Sequence, residues 1–137
     1  MRNALCILIG AAGLWLGFPN PVAQLPLLAL AYPLALLLLG LGATGLWSAF
    51  RLGWLTGIVG ASACLYWLAL PVHEYGQLPW VLAVPCAVAI GAYVGLYGGL
   101  FCLAVRLTRD RLAPFRRGLF LGCAWLLLEV LRGVFLT

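Results

Sequence analysis

The stretch LPWVLAVPCAVAIGAYVGLYGGLFCLAVRL, residues 78–107, decides the fold class. Arg106 is its only charged residue. An α-helix needs about 20 apolar residues to cross the hydrocarbon core of a bilayer, and this run is longer than that. The stretch therefore predicts a membrane-spanning helix whose first turns, around Trp80, lie in the interface or extend beyond it.

The rest of the chain has the same apolar character. Of its 137 residues, 66% are hydrophobic and 8% are charged, which leaves too little polar surface to cover a water-soluble core. The formal charge of +5 comes entirely from arginine, because the chain contains no lysine. Nucleic-acid binding would need a solvated basic face. The sequence therefore predicts an all-α integral membrane protein with no nucleic-acid partner.

Five apolar segments are candidate spans, so we expect a bundle of about five transmembrane helices in one domain, residues 1–137. The approximate bounds of the segments are 4–18, 25–41, 52–70, 78–107 and 118–134. Pro33 lies inside the second segment and predicts a kink there. Small residues recur every four positions in the third and fourth segments, at Gly53, Gly57 and Ala61 and at Gly91, Gly95 and Gly99. Such spacing predicts close helix packing.

The arginines predict the orientation of these segments. Lysine and arginine gather in short cytoplasmic loops, and five of the eight arginines lie within residues 106–117. With the N-terminus in the cytoplasm, seven arginines fall on cytoplasmic ends or loops, namely Arg2, Arg51, Arg106, Arg109, Arg111, Arg116 and Arg117. The loops that contain FPNPVAQ and PVHEYGQLP then face outward. Arg132, near the outer end of the last segment, is the exception.

Glu129 and Arg132 are the polar residues that cost most to place in this chain. They lie three residues apart in AWLLLEVLRGVFLT, residues 124–137, so they meet on one helix face. An acid within an apolar segment is costly unless it is paired, and such residues often mark a functional site. Residue chemistry alone leaves two alternatives open: a structural ion pair near the outer interface, or a functional site.

The segment LPVHEYGQLPW, residues 70–80, contains the only histidine of the chain next to an acid. In an extended loop the side chains of His73 and Glu74 would diverge, whereas acid–base catalysis needs groups that converge on one atom. A metal site would need more ligands. The favoured interpretation is an interfacial loop flanked by aromatic residues. Contact of His73, Glu74 and Tyr75 with a lipid substrate is the functional alternative.

Three blocks of the sequence resemble, in order and spacing, the N-terminal membrane part of the apolipoprotein N-acyltransferase family. The blocks are SACLYWLALPVHEYGQLPW at 62–80, AYVGLYGGLF at 92–101 and AWLLLEVLRGVFLT at 124–137. The most specific piece is the E-x-L-R-G pattern that begins at Glu129. The resemblance covers essentially the whole chain.

The resemblance implies lipoprotein maturation in the bacterial inner membrane. The family transfers an acyl chain from a membrane phospholipid to the N-terminal amine of a diacylglyceryl-cysteine lipoprotein, through a cysteine thioester in a periplasmic nitrilase-like domain with a Glu-Lys-Cys triad. This chain has no lysine. Its cysteines lie in apolar runs, where a thiol is a poor nucleophile. We therefore expect that the catalytic domain is absent from this chain, that the chain contains no catalytic residue, and that it is inactive alone.

The resulting hypothesis is a membrane-anchoring and lipid-access domain of such an acyltransferase. Its expected partners are membrane phospholipids and, through the catalytic domain, lipoproteins; no cofactor and no metal are expected. Five residues are candidates for contact with a lipid headgroup or the domain junction: His73, Glu74, Tyr75, Glu129 and Arg132. The abrupt end favours a fragment over a stand-alone module, and the oligomeric state stays open. The alternative function is a small non-enzymatic membrane scaffold or transporter subunit, held together by its glycine stripes.

Overall fold

The computed structural model describes residues 2–18, 20 and 25–136, and these ranges contain helices and no strand. The prediction of an all-α protein is confirmed. In chain order the elements are α1 (Arg2–Gly17), a 3-10 turn (Pro26–Leu30), α2 (Ala31–Gly42), α3 (Leu46–Cys64), a second 3-10 turn (Tyr66–Leu68), α4 (Ala69–Glu74), α5 (Trp80–Thr108) and α6 (Pro114–Leu136).

Length and composition support two membrane spans within the described residues, α5 and α6, or three if α3 and its bent continuation form one span. The apolar helices Arg2–Gly17 and Pro26–Gly42 are shorter. At about 1.5 Å per residue, the 16 residues of α1 extend about 24 Å, less than the roughly 30 Å of a hydrocarbon core. The fourth predicted segment is present as α5, whereas five crossings remain a prediction.

The bounds predicted for the third segment, 52–70, are wrong at both ends. The helix begins earlier, at Leu46, and the chain then turns by 60° between Leu46–Cys64 and Tyr66–Glu74. Pro71 explains the turn, because in a continuous helix its ring would clash with the carbonyl group of Trp67. Restarting the helix at Ala69 places the proline in the first turn, where no backbone N–H is needed.

Pro33, like Pro71, lies in the first turn of a helix that follows an irregular stretch of backbone. It is the third residue of α2, and a 3-10 turn, Pro26–Leu30, lies immediately before that helix. The irregular backbone therefore precedes Pro33 instead of forming a kink inside one long helix. The sequence predicted an irregularity at Pro33 but not at Pro71, and in both places the structure has the break about one turn before the proline.

The contact between α3 and α5 is the most extensive in the fold. A Cβ atom added to Gly57 would lie 2.4 Å from the Cα atom of Gly95, and one added to Gly53 would lie 2.5 Å from the carbonyl oxygen of Gly98. No side chain fits at these positions, so the two backbones touch. The predicted packing role of the glycine stripes is confirmed.

Many small residues lie in the interior of the bundle, beside a few large ones such as Leu36 and Val105, and large apolar residues cover its outside. Ala49 and Ala83 are completely buried, whereas Leu27 and Val81 are 81% and 80% exposed. Membrane helices pack in this way, since lipid tails solvate large apolar side chains and small residues allow backbones to approach. The distribution is that of a membrane protein.

The arginine-rich segments meet at one end of the bundle. Arg109, just after α5, donates a hydrogen bond of 2.7 Å from Nη1 to the carbonyl oxygen of Leu41 near the end of α2. Arg117 in α6 donates to the carbonyl oxygen of Arg109 at 3.3 Å. The side chain of Arg2, at the start of α1, lies beside Gly42. Successive long helices therefore run in opposite directions.

Candidate functional site

A pocket of about 260 Å³ lies between α1, α2, α5 and α6. Most of its lining is apolar, and its polar side chains are those of Tyr32, Tyr97, Glu129 and Arg132. The pocket therefore combines a hydrophobic enclosure with a carboxylate, a guanidinium group and phenol hydroxyls.

The pocket lies beside the ends of two short helical segments. Phe18 and Leu30 line it, so it lies where α1 and the first 3-10 turn end. The neighbouring α5 has 29 residues and continues well past this level. On the α5 side, the lining residues Val94 and Gly98 belong to the middle of the helix. Among the described residues, α1 and α2 thus extend less far than α5, and the pocket lies beside the middle of α5.

Glu129 and Arg132 form an ion pair on one face of α6, as their spacing predicts. Nη2 of Arg132 donates to Oε2 of Glu129 at 2.5 Å. The side chain of Glu129 is 37% exposed and that of Arg132 is 34% exposed. Each charge therefore has its partner and remains accessible. One turn earlier, Trp125 packs edge-on against Phe101 and Tyr32, with ring centroids 5.0 and 6.1 Å apart. These aromatic contacts hold α6 in the axial position that places the Glu129–Arg132 ion pair at the pocket.

The pair lies in the second half of α6, well separated from Arg117. From Arg117 to Glu129 the helix rises about 18 Å, and to Arg132 about 22 Å. Since the hydrocarbon core is about 30 Å thick, a bilayer that begins near Arg117 would enclose both side chains. Both side chains thus lie toward the end of α6 that is farther from Arg117, and their position relative to the outer interface stays a prediction.

Tyr97 joins the site as one member of a tyrosine pair on α5. The hydroxyl groups of Tyr93 and Tyr97 lie 3.2 Å apart, and their rings are edge-to-face at 5.9 Å. Tyr93 is 37% exposed, whereas Tyr97 lines the pocket. The four-residue spacing signalled that the two share a face. Nothing in the sequence signalled that Tyr32 also lines the pocket.

The segment with the histidine is a short helix and a turn, not an extended loop. His73 lies in the last turn of α4, and its Nδ1 is 2.6 Å from the carbonyl oxygen of Leu78. A carbonyl oxygen only accepts, so this contact requires a proton on Nδ1. The imidazole also stacks on Trp80, with ring centroids 4.4 Å apart. Glu74 and Tyr75 are exposed. His73 therefore fastens α4 to the start of α5.

The structure separates the five candidate residues into two groups. Glu129 and Arg132 line the pocket, whereas His73, Glu74 and Tyr75 do not. Along α5, Trp80 and Tyr97 are about 25 Å apart, and this is the axial distance between the two groups. A single small substrate group cannot contact both groups at once.

Replacing His73 with alanine should loosen α4. The lost hydrogen bond contributes about 0.5–1.5 kcal/mol, so we expect backbone amides in residues 69–80 to exchange with deuterium up to about tenfold faster. Tyr75→Ala is the matched control, because Tyr75 is 84% exposed and its removal should leave exchange unchanged. Equal exchange in the wild type and both variants would contradict the proposed role of His73.

These features define an all-helical membrane domain with an ion pair at an internal pocket. The chain matches the family model described as the apolipoprotein N-acyltransferase N-terminal domain over residues 10–137. Because the match covers most of the chain, the chain belongs to this family.

Curated relatives agree with this assignment. The chain is 34% identical over 110 residues to an apolipoprotein N-acyltransferase of Geobacter metallireducens, covering 80% of this chain and 20% of the relative. It is 39% identical over 88 residues to one of Ralstonia nicotianae, covering 62% and 16%. The chain thus spans one fifth or less of the length of these relatives. No solved structure matches the chain.

Proposed function

We propose that this chain is the membrane-anchoring and lipid-access domain of an apolipoprotein N-acyltransferase. The complete enzyme would transfer an acyl chain from a phospholipid to the N-terminal amine of a diacylglyceryl-cysteine lipoprotein. The chemistry would take place in a separate nitrilase-like domain with a Glu-Lys-Cys triad. The family match over residues 10–137 supports this assignment, and the relatives reported above are named as acyltransferases.

The proposed location is the bacterial inner membrane, with five crossings and the N-terminus in the cytoplasm. Two observations support this topology. Successive long helices alternate in direction, and the ends that carry Arg2, Arg109 and Arg117 meet at one end of the bundle. Arginines accumulate on the cytoplasmic side of membrane proteins. The short α1 would be accommodated by local thinning of the bilayer.

The observation that carries the lipid-access role is the ion pair at the pocket together with an apolar groove beside it. The groove has a volume of about 950 Å³, lies between α2 and α6, and shares Pro33 and Trp125 with the pocket. An acyl chain in the groove would place the polar part of a lipid next to Glu129 and Arg132. Opposite charges side by side supply partners for both signs of charge on a headgroup.

His73, Glu74 and Tyr75 take a different role in this proposal. They lie on and just after α4, beside the start of α5 and away from the pocket. In the proposed topology this region faces the periplasm, where the catalytic domain would be. We therefore assign these three residues to the junction with that domain and to the path of the lipid over it.

Acyl transfer by a full-length acyltransferase that contains this domain tests the proposal. Alanine at Glu129 or Arg132 should lower the rate of transfer at least about tenfold, since a hydrogen bond to a charged group contributes about 1.5–3 kcal/mol. Alanine at His73, Glu74 or Tyr75 should have smaller effects. Leu127→Ala, on an outward face of α6, is the control. Unchanged rates for all five candidate residues would refute the lipid-access role.

A further inference from the structure

A second pocket lies at the arginine-rich end of the bundle, far from Glu129. Its volume is about 620 Å³, and it is formed by the first turns of α1, the end of α2 and the residue that follows α5. Among its lining residues in the described part of the chain, the charged ones are Arg2 and Arg109. Asn3 is also polar, and Cys6 and Leu38 are among the apolar residues. The lining thus has a cationic part and an apolar part.

The two guanidinium groups are positioned by the backbone of α2. Nη1 of Arg109 donates to the carbonyl oxygen of Leu41 at 2.7 Å, and Nε faces Asp110, which leaves Nη2 for a ligand. Nη2 of Arg2 lies 3.2 Å from where a Cβ atom on Gly42 would be. Glycine at that position therefore leaves the space that the side chain of Arg2 occupies.

The positive charge of this pocket is only partly neutralised. The nearest acid, Asp110, accepts a hydrogen bond of 2.9 Å from Arg106 and lies 3.6 Å from Nε of Arg109. The hydrogen bond from Arg106 holds the pKa of Asp110 below its ordinary value, so the carboxylate is ionised at neutral pH. Asp110 does not line the pocket. The partial positive charge at the N-terminus of α1 adds to that of Arg2.

We propose that this pocket binds the phosphate group of an anionic membrane phospholipid, with Arg2 and Arg109 as the phosphate ligands. Guanidinium groups hold phosphate oxygens through paired hydrogen bonds, and basic pockets between membrane helices bind anionic headgroups. The apolar side chains of Cys6 and Leu38 would contact an acyl chain of the same lipid. Free phosphate has no apolar group that could contact these side chains. A phospholipid therefore contacts more of the lining residues than free phosphate does.

Lipid binding by the whole purified chain in a neutral detergent tests the proposal. Dioleoyl phosphatidylglycerol, dioleoyl phosphatidylcholine and inorganic phosphate are titrated separately, with bound lipid counted by native mass spectrometry and the unfolding temperature measured in parallel. We expect phosphatidylglycerol to bind at least about tenfold more tightly than phosphatidylcholine, since the two lipids share acyl chains and differ in net charge. We expect inorganic phosphate to leave the unfolding temperature unchanged.

Arginine variants locate the binding to this pocket. Arg2→Gln and Arg109→Gln should each weaken phosphatidylglycerol binding several-fold and bring it closer to that of phosphatidylcholine. Arg51→Gln is the control, because Arg51 lines none of the pockets described for this protein. If Arg109→Gln does not fold, Arg2→Gln alone tests the proposal. Arg2 is exposed in the first turn of α1, so its replacement should leave the fold intact.

Three results would overturn the proposal. Equal binding of the two lipids would show that net charge is not recognised. Unchanged phosphatidylglycerol binding in Arg2→Gln, with the control intact, would place the lipid elsewhere. A rise in the unfolding temperature with inorganic phosphate equal to that with phosphatidylglycerol would assign the pocket to free phosphate.

Discussion

Gly57→Ala should destabilise the protein strongly, whereas Gly122→Ala should not. The new methyl group at position 57 would lie 2.4 Å from the Cα atom of Gly95, and backbone cannot move aside as a flexible side chain can. Overpacking of a well-packed interior costs about 1–3 kcal/mol, and we expect the upper part of that range because the most extensive helix contact must separate. Free energies of unfolding in detergent micelles measure the loss.

Gly122→Ala is the matched control for Gly57→Ala. A Cβ atom on Gly122 would meet nothing within 4 Å, and alanine is favoured over glycine inside a helix by about 0.5–1 kcal/mol. The control should therefore be neutral or slightly stabilising. Gly122 also has a glycine four residues before it, Gly118, so sequence spacing alone does not distinguish it from Gly57. Equal losses in the two variants would contradict the packing described for α3 and α5.

Glu129→Leu should destabilise the protein, and adding Arg132→Leu should restore most of the loss. Removing one partner of a buried ion pair costs about 3–5 kcal/mol, because the other charge is left without compensation. Both side chains are about one-third exposed, so we expect a smaller loss, about 1–3 kcal/mol. In the double variant no charge remains in the apolar surroundings, and its free energy of unfolding should be close to that of the wild type.

The double variant also separates stability from function. If the pair serves only packing, a stable Glu129→Leu, Arg132→Leu enzyme should keep its acyl transfer. On the lipid-access proposal it should fold and lose transfer, since no charged partner remains for the polar part of a lipid. A double variant as unstable as Glu129→Leu would contradict the assignment of the pair as mutually compensating charges.

Much of the fold could be predicted from apolar runs and small-residue spacing. The run 78–107 contains almost the whole of α5, and the stripes through Gly57 and Gly95 indicated a contact that the structure contains. The bend after Cys64 was missed, because the apolar run continues through it as far as Leu70. Pro71 accounts for the bend in the structure, but its presence alone does not predict one, since a proline marks the first turn of a helix as readily as a kink.

The site was predicted less completely than the fold. The spacing of Glu129 and Arg132 was sufficient to pair them on one helix face, since the contact is local. The pocket depends on where α1 and the first 3-10 turn end relative to α5, which is a property of the assembled bundle. Sequence spacing therefore gave no indication that Tyr32 lies at the site. The sequence also grouped His73 with Glu129 and Arg132 as candidate site residues. In the structure His73 lies about 25 Å from the pocket, measured along α5.

Photo-crosslinking of a phospholipid to this protein tests the central claim most directly. The protein is reconstituted with a phospholipid that carries a diazirine on an acyl chain close to the glycerol, and adducts are mapped by mass spectrometry. The lipid-access proposal predicts adducts at Leu14, Val94 and Leu128, which line the pocket. Arg132→Leu should remove these adducts and leave those on the outward-facing Leu127. Adducts on outward faces alone, unaffected by Arg132→Leu, would contradict the proposal that lipid enters the pocket.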